Sequence, residues 1–366
     1  MNGTGVSTVT AYTAHREWAS RPPDERYASV QTLYDAARAR RERTEERDIV
    51  AVDFRTTAAD NDLVLHDASG RTAALTHWSF GQLATIASAP PNYLRTLPAA
   101  VASSAINVGL ERQRREQHQL LAERTAPWTV HAITSSRYAR VHHDELASRV
   151  LDLMARHPAW HLPLAYKDGE YGAEQVPSGA YLGDRDMFLF LVDGNLALDD
   201  PTDRTAAGLF RGFILRNSDV GAAALTLDVF LFRAVCANHI IWGFQHVAGF
   251  RRRHVGAIQD AWATSLDDVR AALDADTAHD RTVLLRATLQ ELGPTRDAVL
   301  EAVVQRLDLS HKHAAEAYSL ADAHEPNPRS VWGYAQGLTR LSQRTPWQDG
   351  RFALDRAASR LFATVY

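Results

Sequence analysis

Asp184 and Asp186, with Arg185 between them, stand at the head of the apolar run Met187 to Val192. If the strand begins at Asp184, both carboxylates project from one face and offer two hard oxygen ligands to a divalent cation. The metal alternative that follows is a hydrolase acting on nucleic acid or nucleotides, with Asp184 and Asp186 as ligands and His254 as acid/base. A plainer use is that Asp186 pairs with an arginine of a neighbouring strand, Arg211 or Arg216. The plainer use is preferred, because one strand supplies too few ligands and no Glu or His follows at ligand spacing.

The second chemistry is cationic. Phe250-Arg-Arg-Arg-His254 is the densest basic cluster without interleaved acids. Arg251, Arg252, Arg253 and His254 suit phosphate contact, or equally a charged strand edge that resists aggregation. Arg211 and Arg216 are five residues apart on one strand, so they face opposite ways unless a bulge at Gly212 intervenes. The pairs His142-His143 and His311/His313 have spacings that chelate one ion poorly, and neither is expected to hold metal. Cys236 sits in an apolar pattern without a base nearby in sequence and reads as a packed thiol. No Gly-Lys-Ser/Thr phosphate loop, Gly-x-Ser-x-Gly elbow, His-Glu-x-x-His or Cys-x-x-Cys occurs in the chain.

These residues need elements to hold them. The patterning predicts an α+β fold with a β-rich centre and a helical C-terminal region. Four segments are expected: a polar arm with a solvated helix over 1–47, a mixed region over 48–126, a β-rich core over 127–256 and helices over 257–366. Arg38/Glu42 and Arg41/Glu45 have helical i,i+4 spacing in the arm. Short strands are expected near Ile49–Phe54, Leu63–Leu65 and Val130–Ile133, and helices from Thr76 to the Pro90-Pro91 break, from Ala99 to about Leu121, and over Asp144–Arg156. Met187–Val192 should be a central strand. Leu209–Asn217 should return through the turn Asn217-Ser-Asp-Val-Gly221 to Ala222–Leu227, after which Asp228 can cap a helix through Val235 and Cys236. Farther on, Ser265 opens a capping box, Gly293-Pro294 breaks a helix and Ser330 starts another.

Composition narrows the class. The chain has 366 residues, 45% of them hydrophobic and 23% charged, a net charge of −4 and one cysteine. That describes a globular protein with room for two or three packing units. The net charge argues against indiscriminate coating of nucleic acid, although a local basic stripe remains compatible with it. A lone cysteine, no apolar leader in the first thirty residues and no apolar run of membrane-spanning length set the expectation of a cytoplasmic protein without membrane contact.

Several strings resemble the phage/plasmid-like proteins grouped as domain of unknown function 932: Tyr181-Leu-Gly-Asp-Arg-Asp-Met-Phe, Phe210-Arg-Gly-Phe, Asn217-Ser-Asp-Val-Gly221, Phe230-Leu-Phe-Arg-Ala-Val-Cys-Ala-Asn238 and Arg253-His254. The resemblance extends from Val52–Leu110 to Val331–Thr339, over most of residues 48–362. It implies a mobile-element setting in replication, recombination or host defence, and names no reaction. A helix at 144–156, antiparallel strands and a helix at 228–237 also follow an order similar to that of phage single-strand annealing proteins, a likeness of topology alone. The expectation is then a homo-oligomer binding single-stranded DNA without cofactor or catalysis, with Arg211, Arg216, Arg251, Arg252, Arg253 and His254 contacting nucleic acid. Asp184, Arg185, Asp186, Asn217 and Asn238 would be structural polar residues. A non-catalytic structural or host-interaction protein is the remaining alternative.

Overall fold

The computed structural model describes residues 23–366 apart from 60–61, 114–115, 167–174, 178, 199–208, 234–239, 243–247, 257, 259–277, 345–353, 355–356, 359, 362–364 and 366. The architecture is α+β: two large, mostly antiparallel sheets with helices packed against them, followed by helices alone. Asn238, Cys236 and the Ser265 capping box lie outside the described residues.

Helix α1, Val30–Arg43, starts at Ser29, whose hydroxyl accepts from the Thr32 amide while the Thr32 side chain answers the Ser29 amide. The expected Arg38–Glu42 pair forms at 3.2 Å, but Arg41 reaches Glu46 rather than Glu45. The helix is not a solvated arm, for it buries Val30, Leu33 and Ala37. Glu45 lies in the strand that follows, so helical spacing no longer applies to it.

Strands β1 (Thr44–Val50), β2 (Arg55–Ala59), β3 (Asp62–His66), β4 (Thr72–Leu75), β5 (Gln117–Glu123) and β6 (Trp128–Ser135) form the first sheet in the order β1-β5-β6-β4-β3-β2. The β4–β6 pair is parallel and the others are antiparallel. Helices α2 (His77–Ile86, capped by Thr76) and α3 (Ala99–Arg112) cover one face, burying Leu83, Ile106 and Leu110 against Leu65, Leu120, Val130 and Ile133. At Gly109 any Cβ would run into the Ala87 carbonyl, so only glycine lets α3 approach so closely. One expectation is corrected here. The helix from Ala99 ends at Arg112, and His118–Leu121 belongs to β5, where cross-strand pairing with β1 and β6 on both sides overrides helical propensity. Strand β1 runs across the expected 47/48 division and the β5–β6 hairpin across the 126/127 division.

Helix α4, His143–Arg156, leads to the second sheet, built from β7 (Trp160–His161), β10 (Ala180–Leu182), β11 (Met187–Leu198), β12 (Leu209–Asn217), β13 (Leu225–Arg233), β14 (Ile240–Trp242) and β15 (Ala248–Arg252). Strands β8 (Leu164–Tyr166) and β9 (Gln175–Pro177) pair separately. Met187, Leu189, Leu191, Phe213, Leu215, Leu225 and Leu227 alternate onto one face and pack on α1 and α4 through Leu33, Ala37, Leu146 and Val150. Residues Phe188, Phe190 and Ile214 of the other face are also buried, so this part of the sheet is covered on both sides.

The helix expected from Asp228 is a strand, Leu225–Arg233, antiparallel to β12. Thr226, Val229, Phe230 and Phe232 are β-formers, and β12 on one side with β14 and β15 on the other fix the segment extended. This removes the second helix on which the topological likeness to annealing proteins depended. The C-terminal region is helical as expected: α5 (Ala278–Leu289), α6 (Arg296–Leu307, capped by Thr295), α7 (His311–His324, capped by Ser310) and α8 (Val331–Arg344) share a core around Trp332, Tyr334 and Leu338. Among the described residues no helix is long and apolar enough to cross a membrane.

Candidate nucleic-acid interface

The β12–β13 turn, Asn217–Gly221, joins the two sheets. Asn217 Nδ2 donates to the Val141 carbonyl at 2.8 Å and Ser218 Oγ to the Arg185 carbonyl at 2.5 Å. The Tyr138 hydroxyl donates to the Ser218 carbonyl at 2.7 Å, and Arg140 donates to the Asp219 carbonyl. Val220 is fully buried against Leu121 and Ala132 of the first sheet, and its carbonyl accepts from Trp78 Nε1 (2.9 Å) and Gln82 Nε2 (2.8 Å) on α2. Gly221 has φ +85°, a left-handed conformation that favours glycine.

Around the turn, charged groups from both sheets neutralise one another. Arg40 of α1 donates to His131 Nδ1 and to the Gly183 carbonyl, both at 2.9 Å, and His131 Nε2 donates to Glu123 at 3.0 Å. Between Leu121 and Ala122 of β5 the register with β6 slips, leaving His131 as the extra residue of a bulge that aims it at this cluster. Arg43 also binds Glu123, at 2.8 Å. Glu46 accepts from His142 at 2.9 Å and from Arg140 at 3.1 Å. The His142 hydrogen bond, opposed by burial and helped by the charges of His142, Arg140 and Arg41, holds the Glu46 carboxyl down at about 2.

His143, first residue of α4, is buried and lies 3.6 Å from the Asp219 carboxylate, and its Nε2 accepts from the Asp219 amide at 3.3 Å. Burial pushes His143 below its ordinary range, so the ring is neutral. Burial works against ionisation of Asp219, but the positive charges around it, those of Arg40 and Arg140 among them, outweigh it and keep the carboxyl below its usual range. Arg40, His131, His142, His143, Asp144 and Asp219 line a small cleft here. The cluster is an interior electrostatic joint in which Glu46 and Glu123 are paired with arginines and histidines, while among the described residues Asp219 Oδ1 has no hydrogen-bond partner.

The sequence-predicted residues divide sharply. Asp184 and Arg185 form the β10–β11 turn instead of the start of a strand, so Asp184 and Asp186 do not share a strand face. Asp186 is buried and Arg216 binds its Oδ2 through Nε (3.0 Å) and a terminal nitrogen (2.6 Å), the expected arginine pair. Asp184 is exposed, 3.9 Å from Arg40. Among the described residues no group of three or more His, Cys, Asp or Glu side chains is placed to hold a metal ion.

Arg211 and Arg216 do lie on opposite faces, because β12 stays in regular register with β13 and the irregularity falls on β11, where Val192 pairs with Gly212 but Leu196 with Phe210. Arg211 is only 5% exposed and has partners of its own. His254 is 4% exposed: Nδ1 donates to the Ala139 carbonyl at 3.1 Å, the ring stacks on Tyr138 with centroids 4.9 Å apart, and burial lowers its proton affinity. Of the expected phosphate-contacting residues, Arg211 is buried, Arg216 is bound to a buried carboxylate and His254 is a neutral packed ring.

Arg251, Arg252 and Arg253 are the opposite case. All are exposed, at and just beyond the end of β15. Among the described residues their side chains have no ion-pair or hydrogen-bond partner, whereas Arg38, Arg41, Arg43, Arg47 and Arg55 all find acids. β15 pairs with β13 on one side, and among the described residues no strand pairs with its other side. Sequence reasoning missed Arg40, Glu46, His131 and Arg140, whose partners are far away in the chain and leave no local spacing to detect.

Residues 192–335 match the model of a family described as a domain of unknown function (DUF932). No curated protein and no solved structure matches the chain. The matched span opens in β11, takes in the joint turn and the arginine edge, and closes in α8, so it is narrower than the 48–362 resemblance. Over residues 192–335 the chain is similar to the domain of unknown function 932 family.

Proposed function

We propose that this protein binds single-stranded nucleic acid through the phosphate backbone, along the outer edge of β15, as part of a phage- or plasmid-like element's annealing or recombination. The observation carrying the reading is the exposed run Arg251–Arg253, which has no acid partner among the described residues. Strand alternation sends Arg251 to one face and Arg252 to the other, and Arg253 follows directly at the strand's end, so positive charge straddles the edge. A flexible single strand can follow such an edge, while a duplex, stiff over about 150 base pairs, lies against one face only. Phosphate contact needs no cofactor and gives no sequence choice.

The test is fluorescence anisotropy of labelled single-stranded and duplex DNA over a salt series in EDTA, comparing wild type with the Arg251→Ala/Arg252→Ala/Arg253→Ala variant. Each phosphate contact contributes about 0.7 to the log–log salt slope on a single strand, so the variant should lose about 2 from the slope. Absence of binding to either DNA at low salt overturns the reading.

A further inference from the structure

Beside the arginine edge lies a second segment that no sequence motif singled out. Ser135, the last residue of β6, and Ser136-Arg137, the start of the loop that leads to α4, are all exposed, and among the described residues the Arg137 side chain, like those of Arg251–Arg253, has no acid or hydrogen-bond partner. The loop is fixed against the edge by three contacts. Tyr138 and Val255 form an antiparallel bridge, the Ala139 amide donates to the His254 carbonyl at 2.9 Å, and the Tyr138 ring stacks on His254. The Tyr138 hydroxyl is held in turn by the Ser218 carbonyl of the joint turn. Antiparallel pairing sets Arg137 opposite Gly256, three residues from Arg253, which at about 3.3 Å per residue is about 10 Å along the chain.

We infer that Ser135, Ser136 and Arg137 form the second wall of the phosphate-binding track, so that the strand runs from the β15 edge across Val255 and Gly256 onto this loop. The inference rests on the nucleic-acid reading above. Serine hydroxyls and an arginine are phosphate-contacting groups, and a preorganised loop loses little entropy on contact. His254 acquires a role here. It carries no charge to the phosphates, but its stack with Tyr138 holds the two walls in register, which accounts for a buried histidine directly after three exposed arginines.

The experiment measures the salt slope and affinity for a single-stranded oligonucleotide with Arg137→Ala, Arg137→Lys, Ser135→Ala/Ser136→Ala and, as a charge-matched control, Arg306→Ala on the exposed surface of α6. Arg137→Ala should reduce the slope by about 0.7, Arg137→Lys should restore most of it, and Arg306→Ala should leave it unchanged. If Arg137→Ala behaves as Arg306→Ala while the Arg251–Arg253 variant is weakened, the second wall is refuted and the edge stands. If the wild type fails to bind, the edge and the wall fall together.

Discussion

The joint turn Asn217–Gly221 and the Arg251–Arg253 edge are neighbours in space and both rich in polar groups, yet the structure treats them in opposite ways. In the turn, hydrogen bonds tie Asn217, Ser218, Asp219 and Val220 to segments from both sheets. At the edge, three arginines are exposed, with no acid paired to them among the described residues. The difference teaches where to look for function. A polar residue inside a core-like pattern is most often consumed by the fold, as Arg216 is by Asp186, whereas unspent charge on a rigid edge is available to a partner.

The largest expected effect comes from breaking the consumed side. Arg216→Ala takes the Arg216 guanidinium from the buried Asp186 carboxylate and should destabilise the protein by about 3 kcal/mol, read from the urea midpoint, while the folded variant keeps the wild-type salt slope for DNA. Lost binding with intact stability would reverse the division drawn here.

Acid is next. Glu46 holds its proton only near pH 2 when folded, against an ordinary 4.5 unfolded, so its contribution is present above 4.5 and is lost as pH falls from 4.5 toward 2. The carboxylate is one third exposed and screened, and the limb should be worth about 1–2 kcal/mol, with Glu46→Gln flattening it in urea titrations across that range. His131, His143 and His254 are held neutral by burial, with folded proton affinities below the ordinary one. The unfolded chain therefore binds their protons first, and stability should begin to fall already below pH 6.5.

A smaller effect tests the joint from the first sheet. Trp78→Phe removes one donor to the Val220 carbonyl but leaves Gln82 in place, so the cost should be about 1 kcal/mol in the same assay. The smallest effect on stability belongs to the edge: replacing Arg251–Arg253 with alanine should change it by less than about 0.5 kcal/mol. A large loss there would show that these arginines also serve the fold.

Much of the fold was readable where local pattern and tertiary context agree. Met187–Val192 as a central strand, α4 with its inward Leu146, Val150 and Leu153, and the hairpin through Asn217–Gly221 all have the right period and punctuation. The pairing of Asp186 with an arginine was readable too, since a buried acid needs a cation. Asp228–Arg233 was misread because it is apolar on alternate and intervening positions alike, a run that fits helix or strand until its neighbours decide. The Glu46–Arg140–His142 group was invisible, because its members are brought together only by the meeting of β1, the β6–α4 loop and α4. Exposure, which no spacing reveals, separated Arg251–Arg253 from Arg211 and His254.

The first sheet has a further consequence, for the order in which the chain folds. β1 finds its partner only when Thr44 meets Glu123 and Val50 meets Gln117, after three other strands and two long helices have been made. A contact spanning so much sequence closes late and slows folding. Until β5 has left the ribosome, β1 stands as an unpaired edge, and that interval is when a second nascent chain can take the place of the first chain's own strand.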